Sequence, residues 1–315
     1  MDKGASMRDL IISVVIPNRN GEKTLKKCLE SIYSQKDVAI GEIILVDDAS
    51  TDKSLSIVRT FFPKVRILRH DRSYGAAKAR NDGIKISVND LLLFVDNDVY
   101  LTESCVKELL KQVDKAEIVY PLVIFEDGTV LSPSSIYEQR YIRRSPVFMV
   151  KKNALKKLDE LFDETYEVYY EDVDFFTRCL MARLKSRYVS SALAFHATVI
   201  KPLKSLEHRY YLELRNLIYL SLKFMRIPKS LKNFMLLPSL KNALYYLRIA
   251  LTNRNIYLKY PEFPRVNRLS SSSIKVIMLC IKALLWNLFH IRVSLKKCRK
   301  LTKWWWALCQ MPREE

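Results

Sequence analysis

The sequence predicts an α/β fold with a parallel sheet in its first part, and three observations carry that reading. Short apolar, β-branched runs at Leu10–Ile16, Ile43–Val46, Val65–Leu68 and Leu91–Val95 alternate with amphipathic stretches of helical spacing. That alternation is the pattern of strands joined by crossover helices. Two of the runs also end in paired acids, Asp47-Asp48 and Asp96-Asn97-Asp98. Such sheets bind ligands outside the carboxyl ends of their strands, so both acid clusters would fall on the binding edge.

Taken in order, the first run closes at Pro17-Asn18-Arg19-Asn20-Gly21, and a helix is expected from about Glu22 to Gln35. Leu25, Cys28, Leu29 and Ile32 would form its buried stripe. After the second run, Ser50, Thr51 and Asp52 offer N-cap chemistry to a helix through Leu55, Ile57 and Val58. The third run leads through Ser73-Tyr74-Gly75 to a helix over Ala76–Ile86. The fourth, LLLFV, has the composition of a strand buried on both faces. Asp96 and Asp98 follow it directly, and two carboxylates there repel each other and lose hydration unless a cation sits between them. Oxygen ligands of this kind suit Mg²⁺ or Mn²⁺, which usually also grips phosphates. Asp-Asn-Asp alone reads as an acidic turn. Its repetition after the second strand favours a nucleotide and metal site.

The length of 315 residues suggests one large domain with an appendage, or two domains. The six cysteines show no CxxC pairing and read as reduced thiols, and the N-terminus MDKGASMRDL has no apolar signal core. Charge is placed unevenly. Residues 1–200 hold 30 Lys+Arg against 29 Asp+Glu, a net of +1, whereas residues 201–315 hold 23 against 5, a net of +18. The expected division is therefore a neutral catalytic domain, 1–200, and a helical, basic, aromatic region, 201–315.

Within that region, Leu214–Ile227 is apolar, Leu231–Leu251 is aromatic-rich and interrupted by Pro238, and Ile274–Val293 is nearly all apolar. Lys282 sits mid-segment in the last of these, which argues against a simple span. The segment fits an interfacial helix or one packed against neighbours. Lys296, Lys297, Arg299, Lys300 and Lys303 then lead into Trp304-Trp305-Trp306, a basic cluster beside interfacial aromatics. The expected partner is an anionic membrane surface and the expected place the cytoplasmic face of the cell membrane. No recognition motif accompanies the charge, so nucleic acid is not expected.

The motifs SVVIPNRNGEKTL, EIILVDDASTD, GAAKARNDGI and LLLFVDNDVYL resemble the nucleotide half of family 2 glycosyltransferases of GT-A fold, a Rossmann-like mixed sheet. FMVKKNAL, LFDETYEVYYEDVDFFTRC, AFHATVI and YYLELRNLIYL resemble the acceptor half, and the overall look is of the rhamnosyltransferase-like branch. The resemblance implies a nucleotide-diphosphate sugar donor, a glycan or lipid-linked acceptor and a Mg²⁺ or Mn²⁺ cofactor. It makes Asp48 the acid that accepts from the nucleotide base, Asp96 the ribose-facing acid and Asp98 the metal ligand. Pro17, Asn18, Arg19, Gly75, Arg80 and Asn97 fall on donor-binding motifs. Asp172 resembles the catalytic base of an inverting, single displacement. His196, after an apolar segment, matches a histidine that can complete the metal site, although a lone histidine there is more often structural.

An acidic first helical turn would explain Glu171, Asp172 and Asp174 without catalysis. The aromatic stretch Tyr166–Tyr170 before it favours a pocket instead. Two departures stand out. Arg19 replaces an aromatic residue that would stack on the base, and Arg143-Arg144-Ser145-Pro146-Val147 lacks a glycine often found there. Two rival readings are a sugar nucleotidyltransferase, and a non-catalytic membrane or nucleic-acid adaptor on a transferase fold. The first lacks its glycine-rich basic loop at Pro17–Gly21, and the second predicts loss of acids that are all present.

Overall fold

The computed structural model describes residues 10–132, 145–197, 203–226, 257–260, 263–268 and 273–310. Arg143, Arg144, Ile227 and the 231–251 stretch with Pro238 lie outside the described residues. The chain divides into two compact units, Met1–Thr198 and Val199–Glu315.

In the first unit, β1 (Ile11–Asn18), β2 (Ala39–Asp47), β3 (Arg66–Arg69) and β4 (Leu91–Val95) alternate with α1 (Leu25–Tyr33), α2 (Ser54–Phe61) and α3 (Ala76–Ile86). These four strands are parallel, in the order β3-β2-β1-β4. All five residues of β4 are buried, as an apolar run covered on both faces must be. Helix α1 starts later than its sequence pattern suggests because Gly21 O takes the Thr24 and Leu25 amides in a preceding turn (3.0 and 2.8 Å). Its buried residues are Leu25, Cys28, Leu29 and Ile32.

Beyond β4 the sheet ceases to be parallel. Strands β5 (Val99–Leu101), β6 (Ile118–Phe125), β7 (Val130–Ser132), β8 (Val147–Lys151) and β9 (Ser186–His196) extend it to nine strands, with α4 (Cys105–Leu110) and α5 (Glu171–Met181) between them. β8 runs antiparallel to both β4 and β6, β9 parallel to β6, and β5 antiparallel to β9. The parallel alternation expected for the first part of the chain thus holds over β1 to β4, and the whole sheet is mixed, as the resemblance implied. Phe94 of β4 stacks on Phe148 of β8 (centroids 4.7 Å apart), which joins the parallel and antiparallel halves through one core.

The second unit contains α6 (Leu203–Lys223), a hairpin of β10 (Tyr257–Tyr260) and β11 (Phe263–Arg268), α7 (Ser273–Phe289) and α8 (Ile291–Gln310). The sequence pattern gave no strand there. The apolar segment expected to run to Val293 breaks at His290, with a bend of 62°. No proline or glycine marks the break. The buried positions keep helical spacing across it: Ala283 and Asn287 in α7, then Ser294, Cys298 and Leu301 in α8. No single helix among the described residues is long and apolar enough to cross a membrane, and the bent pair together meets that requirement by length and composition only.

Candidate active site

The carboxyl ends of β1 to β4 gather most of the expected residues. Asn18 is buried at the end of β1, and both ends of its amide are engaged. Its Nδ2 donates to Asp47 Oδ1 (2.9 Å) and Ser50 Oγ (3.2 Å), while its Oδ1 accepts from Asn97 Nδ2 (2.7 Å). Gly21 lies directly beneath, where a Cβ would come within 2.4 Å of Asn18 Oδ1 and 2.5 Å of Asn97 Nδ2. Asn18 and Asn97 therefore brace the ends of β1 and β4 against each other. Pro17 is half-buried, and the exposed Arg19 donates to Ser73 Oγ.

Asp48 follows β2 and is nearly fully buried. Its carboxylate accepts from the Tyr74 amide (2.7 Å), the Gly75 amide (2.9 Å) and Ser73 Oγ (2.6 Å), and meets His70 Nδ1 at 2.8 Å. Burial pushes this carboxyl up, but the bonds from His70, Ser73, Tyr74 and Gly75 outweigh it and hold it below its ordinary value. The other ring nitrogen of His70 lies 3.2 Å from Asp82 Oδ2. Sequence reasoning did not single out His70. Its position one residue after β3, on the same sheet edge as Asp48, was the available signal.

Arg80, buried on α3, joins two elements far apart in sequence. Its guanidinium donates to Asp96 Oδ1 (2.8 Å) and to Glu171 Oε1 (2.7 Å). Burial lowers the Arg80 pKa and the neighbouring Asp96 and Glu171 charges raise it, with a net upward shift. Burial raises Asp96, Arg80 opposes it, and the charge of Asp98 adds to the rise. Glu171 is pushed up to about 7 by burial, against Arg80 and with repulsion from Asp172. Arg80 Nε and Glu171 Oε2 are buried and make no hydrogen bond among the described residues.

Asp98 lies in the turn between β4 and β5. Strand pairing sets Val99 opposite His196, and Asp98 O accepts from the Ala197 amide (2.8 Å). His196 Nε2 is 3.6 Å from Asp98 Oδ1, with both side chains partly open to solvent. The described residues include no group of three or more His, Cys, Asp or Glu able to hold a metal. A carboxylate and an imidazole facing one another, beside the strained charge of Asp96, fit a cation whose remaining ligands come from phosphate and water.

The acids of α5 separate by environment. Glu171 is tied to Arg80. Asp174 is fully buried and paired with Arg178 Nε at 2.7 Å, and Arg178 also donates to the carbonyl oxygens of Glu160 and Leu161. Asp172 is the half-buried acid of the three, with Oδ1 accepting from the Val173 amide at 2.8 Å. The segment before it holds Glu167, Tyr169 and Tyr170 at positive φ (63°, 67° and 70°). Tyr166 is buried, and Tyr169 and Tyr170 are half-buried. Glu167 O accepts from the Ala77 amide (3.1 Å), which fastens this segment to the start of α3.

Residues 13–168 match the description "Glycosyl transferase family 2". The chain belongs to the family 2 glycosyltransferases. Among curated proteins it is similar to "Glycosyltransferase GlyG" of Streptococcus pneumoniae, 39% identical over 110 residues, which covers 34% of this chain and 36% of that protein. It is also similar to "Poly(ribitol-phosphate) beta-glucosyltransferase" of Bacillus spizizenii, 43% identical over 98 residues, 29% of this chain and 15% of that protein. The match thus spans about a third or less of these relatives' own length. Among solved structures, S. aureus TarS 1–349 in complex with UDP-GlcNAc superposes with a TM-score of 0.58 at 21% identity, covering 78% of this chain and 76% of that one. The mixed sheet of this family 2 glycosyltransferase is therefore GT-A-like.

Proposed function

We propose that this family 2 glycosyltransferase moves a sugar from a nucleotide-diphosphate donor to a hydroxyl of a cell-surface or lipid-linked glycan, with inversion at the anomeric carbon. The observation that carries the reading is the convergence of Asp96, Asp98, His196 and Arg80 on one sheet edge, with Arg80 reaching Glu171 beside Asp172. Relatives named for poly(ribitol-phosphate) glycosylation support a cell-surface acceptor, and neighbours solved with UDP or UDP-GlcNAc support a nucleotide-sugar donor.

In this reading Asp48, with the Ser73–Gly75 loop, receives the base, and Pro17 and Arg19 border it. Asp96, held by Arg80, faces the ribose. Asp98 and His196 would hold Mg²⁺ or Mn²⁺, and a neighbour of this fold solved with UDP, GalNAc and Mn²⁺ supports a divalent ion. Such an ion, when bound, offsets the negative charge that grows on the departing diphosphate. Asp172 accepts the proton of the acceptor hydroxyl as its oxygen bonds to the anomeric carbon, and the bond from that carbon to the phosphate oxygen breaks. Glu171 and Asp174 are less suited because each is buried in an ion pair with an arginine.

The test combines two variants. Asp172→Asn should lower transfer about 10²–10⁴-fold with donor affinity nearly unchanged. Asp98→Asn should instead weaken the metal-dependent binding of nucleoside diphosphate seen by calorimetry. Near wild-type turnover in the first variant would remove Asp172 from the role. Unchanged metal-dependent binding in the second would remove Asp98.

A further inference from the structure

Helix α7 has two unlike faces. On one, Ala283 and Asn287 are buried, and Asn287 Nδ2 donates to Arg215 O of α6 at 3.0 Å. Trp286 stacks on His290 and carries the Arg215 guanidinium 4.5 Å above its ring. On the other, Met278, Ile281, Leu284, Leu285, Leu288 and Phe289 are 47–83% exposed. Single exposed apolar residues are ordinary, but six on two adjacent ridges of one helix mark a contact surface. Lys282 does not interrupt it, because its ammonium lies 4.6 Å from the Tyr211 ring centroid of α6.

The charge beside this face decides what covers it. Residues 273–310 contain eight Lys or Arg and no Asp or Glu. After the 62° bend, α8 buries Ser294, Cys298 and Leu301 and exposes Arg292, Lys296, Arg299, Lys300, Lys303 and Trp306. A second copy would bring +18 against +18. Nucleic acid would neutralise α8 but leave the face of α7 in water. An anionic bilayer surface satisfies both, with acyl chains for one helix and headgroup phosphates for the other.

We propose that the second unit docks on an anionic lipid surface, with α7 lying in the plane of the interface and α8 laid against the headgroups. The helix pair rests on the bilayer rather than crossing it. The bend turns α8 away from the line of α7, and the six Lys or Arg of α8 lie within Arg292–Lys303, which a span crossing the bilayer would have to bury. This assignment is independent of the catalytic one.

The full-length chain is mixed with vesicles of phosphatidylglycerol and phosphatidylcholine, or of phosphatidylcholine alone, and bound protein is measured by sedimentation. Binding should require the anionic lipid, and bromine on the lipid chains should quench tryptophan emission. Leu284→Gln with Leu288→Gln changes only exposed positions and should lower vesicle affinity by at least about tenfold. Replacing Lys296, Arg299, Lys300 and Lys303 by Gln should lower it by up to about 10³-fold. Circular dichroism and calorimetric binding of nucleoside diphosphate keep folding and the catalytic site in view. Equal binding to both vesicle types, or unchanged affinity in both variants, overturns the proposal. So does a concentration-dependent dimer that Leu284→Gln and Leu288→Gln dissolve without affecting vesicle binding, since the face then belongs to a second copy.

Discussion

Arg80 is the side chain on which the acids of this site depend. Removing its charge would leave the buried Glu171 and the half-buried Asp96 without their cation, and for a buried pair such as Arg80–Glu171 that costs about 3–5 kcal/mol. Arg80→Met should therefore lower the unfolding free energy of the protein by that order, as read by denaturant melts. Glu171 gives a separate signature in pH. Its folded-state pKa, about 7, stands above the ordinary 4.5, so its contribution to stability is complete below about pH 4.5 and is lost as pH rises through about 7. Glu171→Gln should flatten the decline of thermal stability across that window. Asp48 has the opposite sign. Its pKa is lowered from 3.8, so its contribution is present above that pH and falls away on acidification. Asp48, Asp96, Asp98 and Asp172 were legible because each closes a strand or opens a helix in the sequence. The Arg80–Glu171 pairing was not, since 91 residues separate the partners and no local pattern announces it.

At the scale of elements, the boundary between the third strand and third helix couples the two halves of the site. Gly75 has φ +92°, and a Cβ there would lie 2.3 Å from the carbonyl oxygen of Glu167. Both constraints oppose any larger residue. Gly75→Ala should cost about 1–3 kcal/mol in stability and displace the segment that leads to Asp172. Steady-state kinetics should then show a fall in kcat as well as a rise in the donor KM, because Gly75 also supplies an amide to Asp48. Helix α3 and strand β4 occupy the residues that their periodicity indicates, since local pattern and tertiary burial agree there. The break at His290 was hidden because the apolar run continues past it. The buried stripe also keeps its spacing across the break, so no pattern in the sequence marks it.

At the scale of the whole molecule, the chain divides into a near-neutral unit and a strongly basic one, and composition alone made that visible. The route of the sheet was less legible, because β9 pairs parallel with β6 and antiparallel with β5, and both partners lie far away in sequence. Its register slips between Pro121 and Leu122, so that Ser190, Ser191 and Ala192 bulge out before His196 comes to face Val99. Deleting Ser191 should disturb the placement of His196 opposite Val99, and calorimetry should then read weaker Mn²⁺-dependent nucleotide binding with much of the sheet still formed. The same route sets a clock on biosynthesis. Asp98 leaves the ribosome about a hundred residues before His196, its partner on the closing strand. Until β9 has emerged, a nascent chain carries Asp96 and Asp98 without the strand that sets His196 opposite Val99. The sheet of the first unit therefore closes only once its last strand, β9, has been made.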